Sequence, residues 1–340
     1  MIIPIQNIYY LLCYAWDKLE ESDRIDVSGI DSTELVDLLG KVLAGSCIRL
    51  LKQGLDRYYV EHQEEYMGVK GKLNFTATIK QNLLPQNKTI CAYDEFDYNI
   101  LHNQIIKTTI RKLLRVENLN NNIKDELHKI FVKLPPISEI TIRTSMFGQI
   151  RLNRNNYHYD FILKVCRLIH ENLLVDEDTG IYKFRDFIRD DKAMARLFED
   201  FVRNFYKLES DYRVRAHQIQ WQFESITEGS ESFLPVMRTD MVLEKSGRKI
   251  IIDTKFYTKP IKLNFEKKTF ISENMYQLFS YLKNQEVDNC EGILLYAAVD
   301  NDFYHQYRFN NHLISMRSIN LNQDWSMIRR DLLMMVEEND

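Results

Sequence analysis

Two apolar runs flank Ser246-Gly247 in the stretch Met237-Arg238-Thr239-Asp240-Met241-Val242-Leu243-Glu244-Lys245-Ser246-Gly247-Arg248-Lys249-Ile250-Ile251-Ile252-Asp253-Thr254-Lys255. A two-residue loop with glycine at its second position is the chemistry of a tight β-hairpin. Such a turn fixes the register of both strands: Lys245 faces Arg248 and, carried to the strand ends, Asp240 faces Asp253. Cross-strand partners have Cβ atoms about 5 Å apart, and like charges that close destabilise a sheet unless something neutralises them. Alternation sets Lys255 on the face of Asp253, while Ile250 and Ile252 point the other way with Met241 and Leu243. One face is therefore predicted to be core, and the other to carry acid, acid and lysine.

That set suits a hard divalent cation. Mg²⁺, with Mn²⁺ as an alternative, prefers oxygen ligands and retains waters, so paired carboxylates hold it against a phosphate oxygen. The lysine then orients or activates an attacking water and stabilises developing charge. A solvated hairpin face that carries three charges by chance is the competing reading. Local charge favours the first: from 238 to 270 nine Lys/Arg stand against four Asp/Glu, whereas the whole chain carries a net −4 and gives no general nucleic-acid signal. Two helical positions are candidates to join. Glu199 is a third metal oxygen or a solvated glutamate beside Asp200. Gln277 and Tyr281 share a helix face and either reach the phosphate or form a boundary-layer pair.

A length of 340 residues points to two domains, placed at 1–175 and 176–340. With only 11 Gly and 6 Pro there is no flexible linker, so the domains abut. Periodicity predicts helices at about 7–20, 33–53, 98–116, 122–133, 157–174 and 190–206, and a strand pair around the turn Gly68-Val69-Lys70-Gly71 within 56–80. Strands follow at about 213–223, 236–244 and 249–257, then a helix opened by Ser272 as N-cap and a buried strand at 292–297. The class is α/β: an α+β N-terminal domain, then a helix, three strands, helix, strand unit.

Other chemistries are excluded by what is missing. The five cysteines (Cys13, Cys47, Cys91, Cys166, Cys290) are scattered and never paired as C-x-x-C, which argues against disulfides, zinc and cysteine-ligated iron–sulfur clusters and reads them as small core residues. No apolar run is long enough to span a bilayer and no signal peptide opens the chain, so a cytoplasmic protein with no membrane role is expected. There is no phosphate loop, nucleophile elbow or H-E-x-x-H motif. Any nucleotide-driven step must belong to another chain.

Asp240…Asp253-Thr254-Lys255 in that element order resembles the PD-(D/E)XK nuclease superfamily, and Gln277-x-x-x-Tyr281 is similar to the Q-x-x-x-Y element of some of its branches. Asp240 is preceded by Thr239 rather than proline. Several further segments resemble the McrC subunits of McrBC-type modification-dependent restriction systems: Asn7-Ile8-Tyr9-Tyr10-Leu11-Leu12-Cys13-Tyr14-Ala15-Trp16, Gly68-Val69-Lys70-Gly71-Lys72-Leu73-Asn74-Phe75, Lys133-Leu134-Pro135-Pro136-Ile137, Tyr182-Lys183-Phe184-Arg185-Asp186-Phe187 and Asn274-Met275-Tyr276-Gln277-Leu278. The resemblance implies a Mg²⁺-dependent endonuclease subunit with Asp240, Asp253 and Lys255 as its catalytic motif, and with Glu199 and Gln277 as looser matches. It implies a partner, a hexameric AAA+ GTPase of the McrB type that recognises modified cytosine (5-methylcytosine) in double-stranded DNA, in phage defence. The N-terminal domain would dock on that motor and stimulate GTP hydrolysis. A catalytically silent activator of the NTPase is the alternative.

Overall fold

The computed structural model describes residues 3–337 apart from 23, 26, 28–33, 176–181, 224–225, 227–229, 258–260, 265–266, 286–289 and 299–301. The chain begins with α1 (Ile5–Ala15), shorter than the expected 7–20 because Asp17 turns left-handed at φ 54°. Residues 36–185 then form one compact unit, and 1–35 with 186–340 form the other.

In the 36–185 unit the elements run α2 (Leu35–Gln53), β1 (Tyr58–Met67), β2 (Lys72–Leu73), α3 (Phe75–Lys80), β3 (Lys88–Asp97), α4 (Leu101–Leu114), α5 (Asn121–Lys133), α6 (Thr144–Phe147), α7 (Tyr159–Asn172), β4 (Leu173–Val175) and β5 (Tyr182–Phe184). The helices follow the apolar periodicity: Ile105, Ile106, Ile110 and Leu113 of α4 are buried, as are Phe161, Ile162, Val165 and Ile169 of α7. The expected strand pair across Gly68–Gly71 is corrected. β1 and β2 do not bond to each other; β3 lies between them in the order β1-β3-β2, and residues 75–80 are helical. The physical reason is space at Gly71, whose φ is 71°. A Cβ there would stand 2.6 Å from the Ala92 carbonyl, so only glycine lets the chain turn back this closely along β3.

The second unit continues with α8 (Asp191–Glu209), β6 (Arg213–Arg215), β7 (Gln218–Ile219), β8 (Met237–Arg238), β9 (Met241–Lys245), β10 (Arg248–Phe256), β11 (Ile261–Asn264), β12 (Lys267–Phe270), α9 (Ser272–Lys283), β13 (Cys290–Ala298), β14 (Tyr304–Phe309), β15 (His312–Asn320) and α10 (Trp325–Val336). Asp190 caps α8 by accepting from the Lys192 and Ala193 amides. Ser272, expected as an N-cap, is instead the first helical residue of α9. Six strands form one sheet in the order β14-β15-β13-β10-β9-β6. Its centre, β10, β13 and β15, is parallel, and the flanking pairs are antiparallel.

The expected boundary at 175 differs from this division in two ways. The break falls at 185/186, and α1 packs with the C-terminal unit. Tyr14 of α1 meets the Phe201 and Phe205 rings of α8 at 5.7 and 5.4 Å, and its hydroxyl donates to Glu209 at 2.7 Å. Asn7 donates to the Leu321 and Gln323 carbonyls at 2.9 and 2.8 Å. An aromatic helix buries its stripe where aromatic surface awaits it.

Candidate active site

The hairpin forms in the register its turn requires. Lys245 pairs with Arg248, Leu243 with Ile250 and Met241 with Ile252. Ser246 and Gly247 both sit in the left-handed region, at φ 49° and 84°, the conformation of a type I′ turn. The ladder closes at Met241–Ile252, which leaves Asp240 and Asp253 as the next pair beyond it.

Both faces of this hairpin are covered, which corrects the expectation of one core face and one open face. Ile250, Ile252 and Met241 are buried on the side where Phe256 meets Phe198 of α8, with rings 6.2 Å apart. On the other side Ile251 and Val242 join Leu278, Tyr281 and Leu282 of α9 in one apolar cluster. Parallel strands at the centre of a sheet are ordinarily buried on both faces, and β10 is such a strand. The acid–acid–lysine set therefore stands at the strand ends of a packed interior rather than on a solvated ribbon.

Asp253 is 0 % exposed and neither of its carboxylate oxygens has a hydrogen-bond partner. The Lys255 ammonium lies 2.6 Å from Oδ2, close enough to pair in charge but not aligned as a hydrogen bond. Burial, and after it the charge of Asp240, push the Asp253 carboxyl up to about 7, although Lys255 pulls the other way. Asp240 is differently placed. Its Oδ2 accepts from the Thr254 amide at 2.7 Å and the Thr254 hydroxyl at 2.8 Å, and its carbonyl accepts from Arg203 Nε at 3.1 Å.

Lys255 is in turn held by α9. Its ammonium donates to Gln277 Oε1 at 3.1 Å, the Gln277 amide donates to the Tyr281 hydroxyl at 2.7 Å, and that hydroxyl donates to the Arg238 carbonyl at 2.5 Å. Burial pushes the Tyr281 phenol up to about 12. Gln277 and Tyr281 are thus structural neighbours of the lysine, and Tyr281 ties α9 to β8.

Glu199 reaches less far into the group. Its carboxylate is paired with Arg203, which also donates to Asp200 at 2.9 Å. Burial and the nearby Asp240 charge raise its pKa, so it senses the centre without joining it. Among the described residues no three histidine, cysteine or acidic side chains stand close enough to hold a metal ion. The pair Asp240 and Asp253 does fit one: two carboxylates near enough to feel each other's charge, one of them fully buried with a single ammonium beside it, are the oxygen donors a hard cation takes.

Two residues of this centre escaped the sequence reading. Arg203 stands four positions after Glu199, the one local sign of its pairing, but its bond to the Asp240 carbonyl has no sequence signal. Thr254 is the middle residue of Asp253-Thr254-Lys255, and nothing in that spacing marks its hydroxyl as a partner of Asp240. All five cysteines are buried, and no helix among the described residues is long and apolar enough to cross a membrane.

Fold and site together define an α/β protein with a half-buried acid–acid–lysine group at the open end of a hairpin. Residues 6–297 match the family described as McrBC 5-methylcytosine restriction system component, and the chain belongs to that family. It is 33 % identical over 341 residues to the type IV methyl-directed restriction enzyme EcoKMcrBC of Escherichia coli (strain K12), with 99 % of this chain and 98 % of the relative covered. Its fold resembles a chain of the half-complex from the tetradecameric assembly of Thermococcus gammatolerans McrB AAA+ hexamers with bound McrC. That likeness has a TM-score of 0.62 at 17 % identity and covers 98 % of this chain and 76 % of the other.

Proposed function

We propose that this chain is the DNA-cleaving subunit of a modification-dependent restriction complex, an endonuclease that hydrolyses phosphodiester bonds with Mg²⁺ or Mn²⁺. The observation that carries the reading is the fully buried carboxylate of Asp253, which has the Lys255 ammonium at 2.6 Å on one side and the Asp240 charge on the other. Two neighbouring carboxylates share one ammonium here, and the remaining buried negative charge is costly unless a further cation or a proton compensates it.

Asp240 and Asp253 would hold the ion, which supplies positive charge against the phosphate oxygens and a Lewis acid for water. Lys255, fixed by Gln277 and Asp253, places an ammonium where charge develops and orients the attacking water. Tyr281 keeps Gln277 in place through its bond to the Arg238 carbonyl. Glu199 is a further oxygen ligand only if its pairing with Arg203 opens. The superfamily this arrangement supports is PD-(D/E)XK.

The names of the relatives support the rest of the assignment. The partner is an AAA+ GTPase hexamer of the McrB type, and the substrate is double-stranded DNA carrying modified cytosine such as 5-methylcytosine. The 36–185 unit, which lacks an acid–acid–lysine set among its described residues, is assigned to docking on and stimulating that motor. A second reading, a catalytically silent activator, is favoured by the pairing of Glu199 with Arg203, which leaves two acidic side chains for a metal among the described residues.

Cleavage of methylated DNA with the motor and GTP present separates the two. Cutting that requires Mg²⁺ or Mn²⁺, is lost on chelation and disappears in Asp253→Asn supports the nuclease; undiminished cutting by that variant rules it out. Ca²⁺ is expected to bind without supporting turnover.

A further inference from the structure

We infer that Thr254 is a positioning residue for the proposed metal centre: its backbone amide and hydroxyl lock Asp240 so that the second carboxylate oxygen faces the site. The inference rests on the metal-dependent reading of Asp240 and Asp253. Nothing in the motif's chemistry asks for a hydroxyl here, since the acid and the lysine on either side are the reacting groups.

The geometry is specific. Between β9 and β10 the backbone ladder ends at Met241–Ile252. One step further, the β10 strand still offers the Thr254 amide, and no β9 backbone group takes it. The Asp240 side chain takes it instead, at 2.7 Å, so a carboxylate stands in for the missing rung. That single bond already satisfies the amide. The Thr254 hydroxyl adds a second donor to the same oxygen at 2.8 Å. Among the described residues none donates to Asp240 Oδ1.

Two donors on one oxygen do two things. They fix the plane of the carboxylate, since both bonds lengthen if it rotates, and they leave the other oxygen as the open one. Hydrogen bonds to a charged acceptor are short and about twice as strong as neutral ones. Thr254 is also nearly buried, so its hydroxyl has little water to turn to. Arg203 holds the same residue by its carbonyl at 3.1 Å. Asp240 is thus clamped at backbone and side chain, whereas Asp253 has only the Lys255 ammonium, at 2.6 Å from Oδ2. The centre pairs an acid fixed by neutral donors with one held by charge alone.

Partners that orient a metal ligand usually matter by about 10- to 100-fold in metal affinity. Val preserves the shape of Thr254 and removes the hydroxyl; Ser keeps the hydroxyl and removes the methyl. Mn²⁺ binding to the full-length chain without DNA or motor, followed by titration calorimetry, therefore tests the inference. Thr254→Val is expected to weaken Mn²⁺ binding by about 10- to 100-fold with an unchanged melting temperature in the absence of metal, and Thr254→Ser is expected to bind as the wild type does. Wild-type affinity in Thr254→Val overturns the inference. So does an equal loss in Thr254→Ser, which would implicate the methyl, and so does failure of Thr254→Val to fold without metal, which would make Thr254 a structural residue. Asp240→Ala serves as the reference. If the wild type and Asp240→Ala bind Mn²⁺ equally, the metal reading itself fails and the role of Thr254 falls with it.

Discussion

At the scale of single residues, Asp253 ionises against its surroundings. Burial is the first cause, the Asp240 charge the second, and the Lys255 ammonium offsets only part, which leaves the carboxyl at about 7. A folded-state pKa above the unfolded value means that the fold favours the neutral acid. Its stabilising contribution is complete below the ordinary aspartate range and is lost as pH rises through about 7. Above that pH, without metal, the charge weighs against folding by roughly 4 kcal/mol at most. Asp253→Asn removes the charge and keeps the shape. Urea unfolding in chelator at pH 8 is expected to show the variant equal to or a few kcal/mol more stable than the wild type, with the gap shrinking toward pH 4, while DNA cleavage falls by orders of magnitude. A large loss of stability in the variant would show that Asp253 is a structural residue.

Among the elements, the hairpin of β9 and β10 and helix α9 determine whether the centre assembles. Gly292 of β13 lies under α9, where a Cβ would stand 2.9 Å from a Leu282 methyl and 3.1 Å from those of Leu278. Gly292→Ala is expected to cost about 1–3 kcal/mol by overpacking, and, by lifting α9, to loosen Gln277 from Lys255 and lower cleavage. Gly247→Ala meets open space but keeps φ at 84°, so it is expected to cost only about 1 kcal/mol and to leave cleavage near normal; denaturation and cleavage assays on both variants check the contrast.

The hairpin was legible because turn chemistry and two apolar runs agreed, and its ladder runs in the expected register as far as Met241–Ile252, one position short of Asp240 and Asp253. β3 was not: its second half is exposed, so Asp94, Glu95 and Phe96 show no alternation between a core face and a wet one. β14 was invisible for the same reason, since all of Tyr304–Phe309 is exposed. Arg203 and Thr254 act on Asp240 through bonds that join distant parts of the chain, and periodicity carries no record of those.

On the scale of the whole molecule, the division into units changes which fragment should work alone. A piece covering 1–175 would carry α1 without the Phe201, Phe205 and Glu209 partners it packs on in the C-terminal unit, leaving an aromatic helix face in water. Residues 36–185 carry their own core. That fragment is expected to melt cooperatively by circular dichroism, to bind the AAA+ motor and to raise its phosphate release without cutting DNA, whereas the 1–175 fragment is expected to aggregate. A folded 36–185 fragment that neither binds nor stimulates would refute the proposed division of labour.

The ties from Asn7 to the Leu321 and Gln323 carbonyls also set an order of events during synthesis. A ribosome releases α1 before 36–185 and its acceptors after that unit. Domains usually fold as they emerge, so the middle unit is complete while α1 still waits for its partners. A chain broken off between 186 and 320 would therefore carry a complete middle unit beside an α1 whose Leu321 and Gln323 acceptors had not yet been made. Under the proposed division of labour such copies would carry the unit assigned to the motor together with an unburied aromatic helix, which favours their aggregation over productive docking.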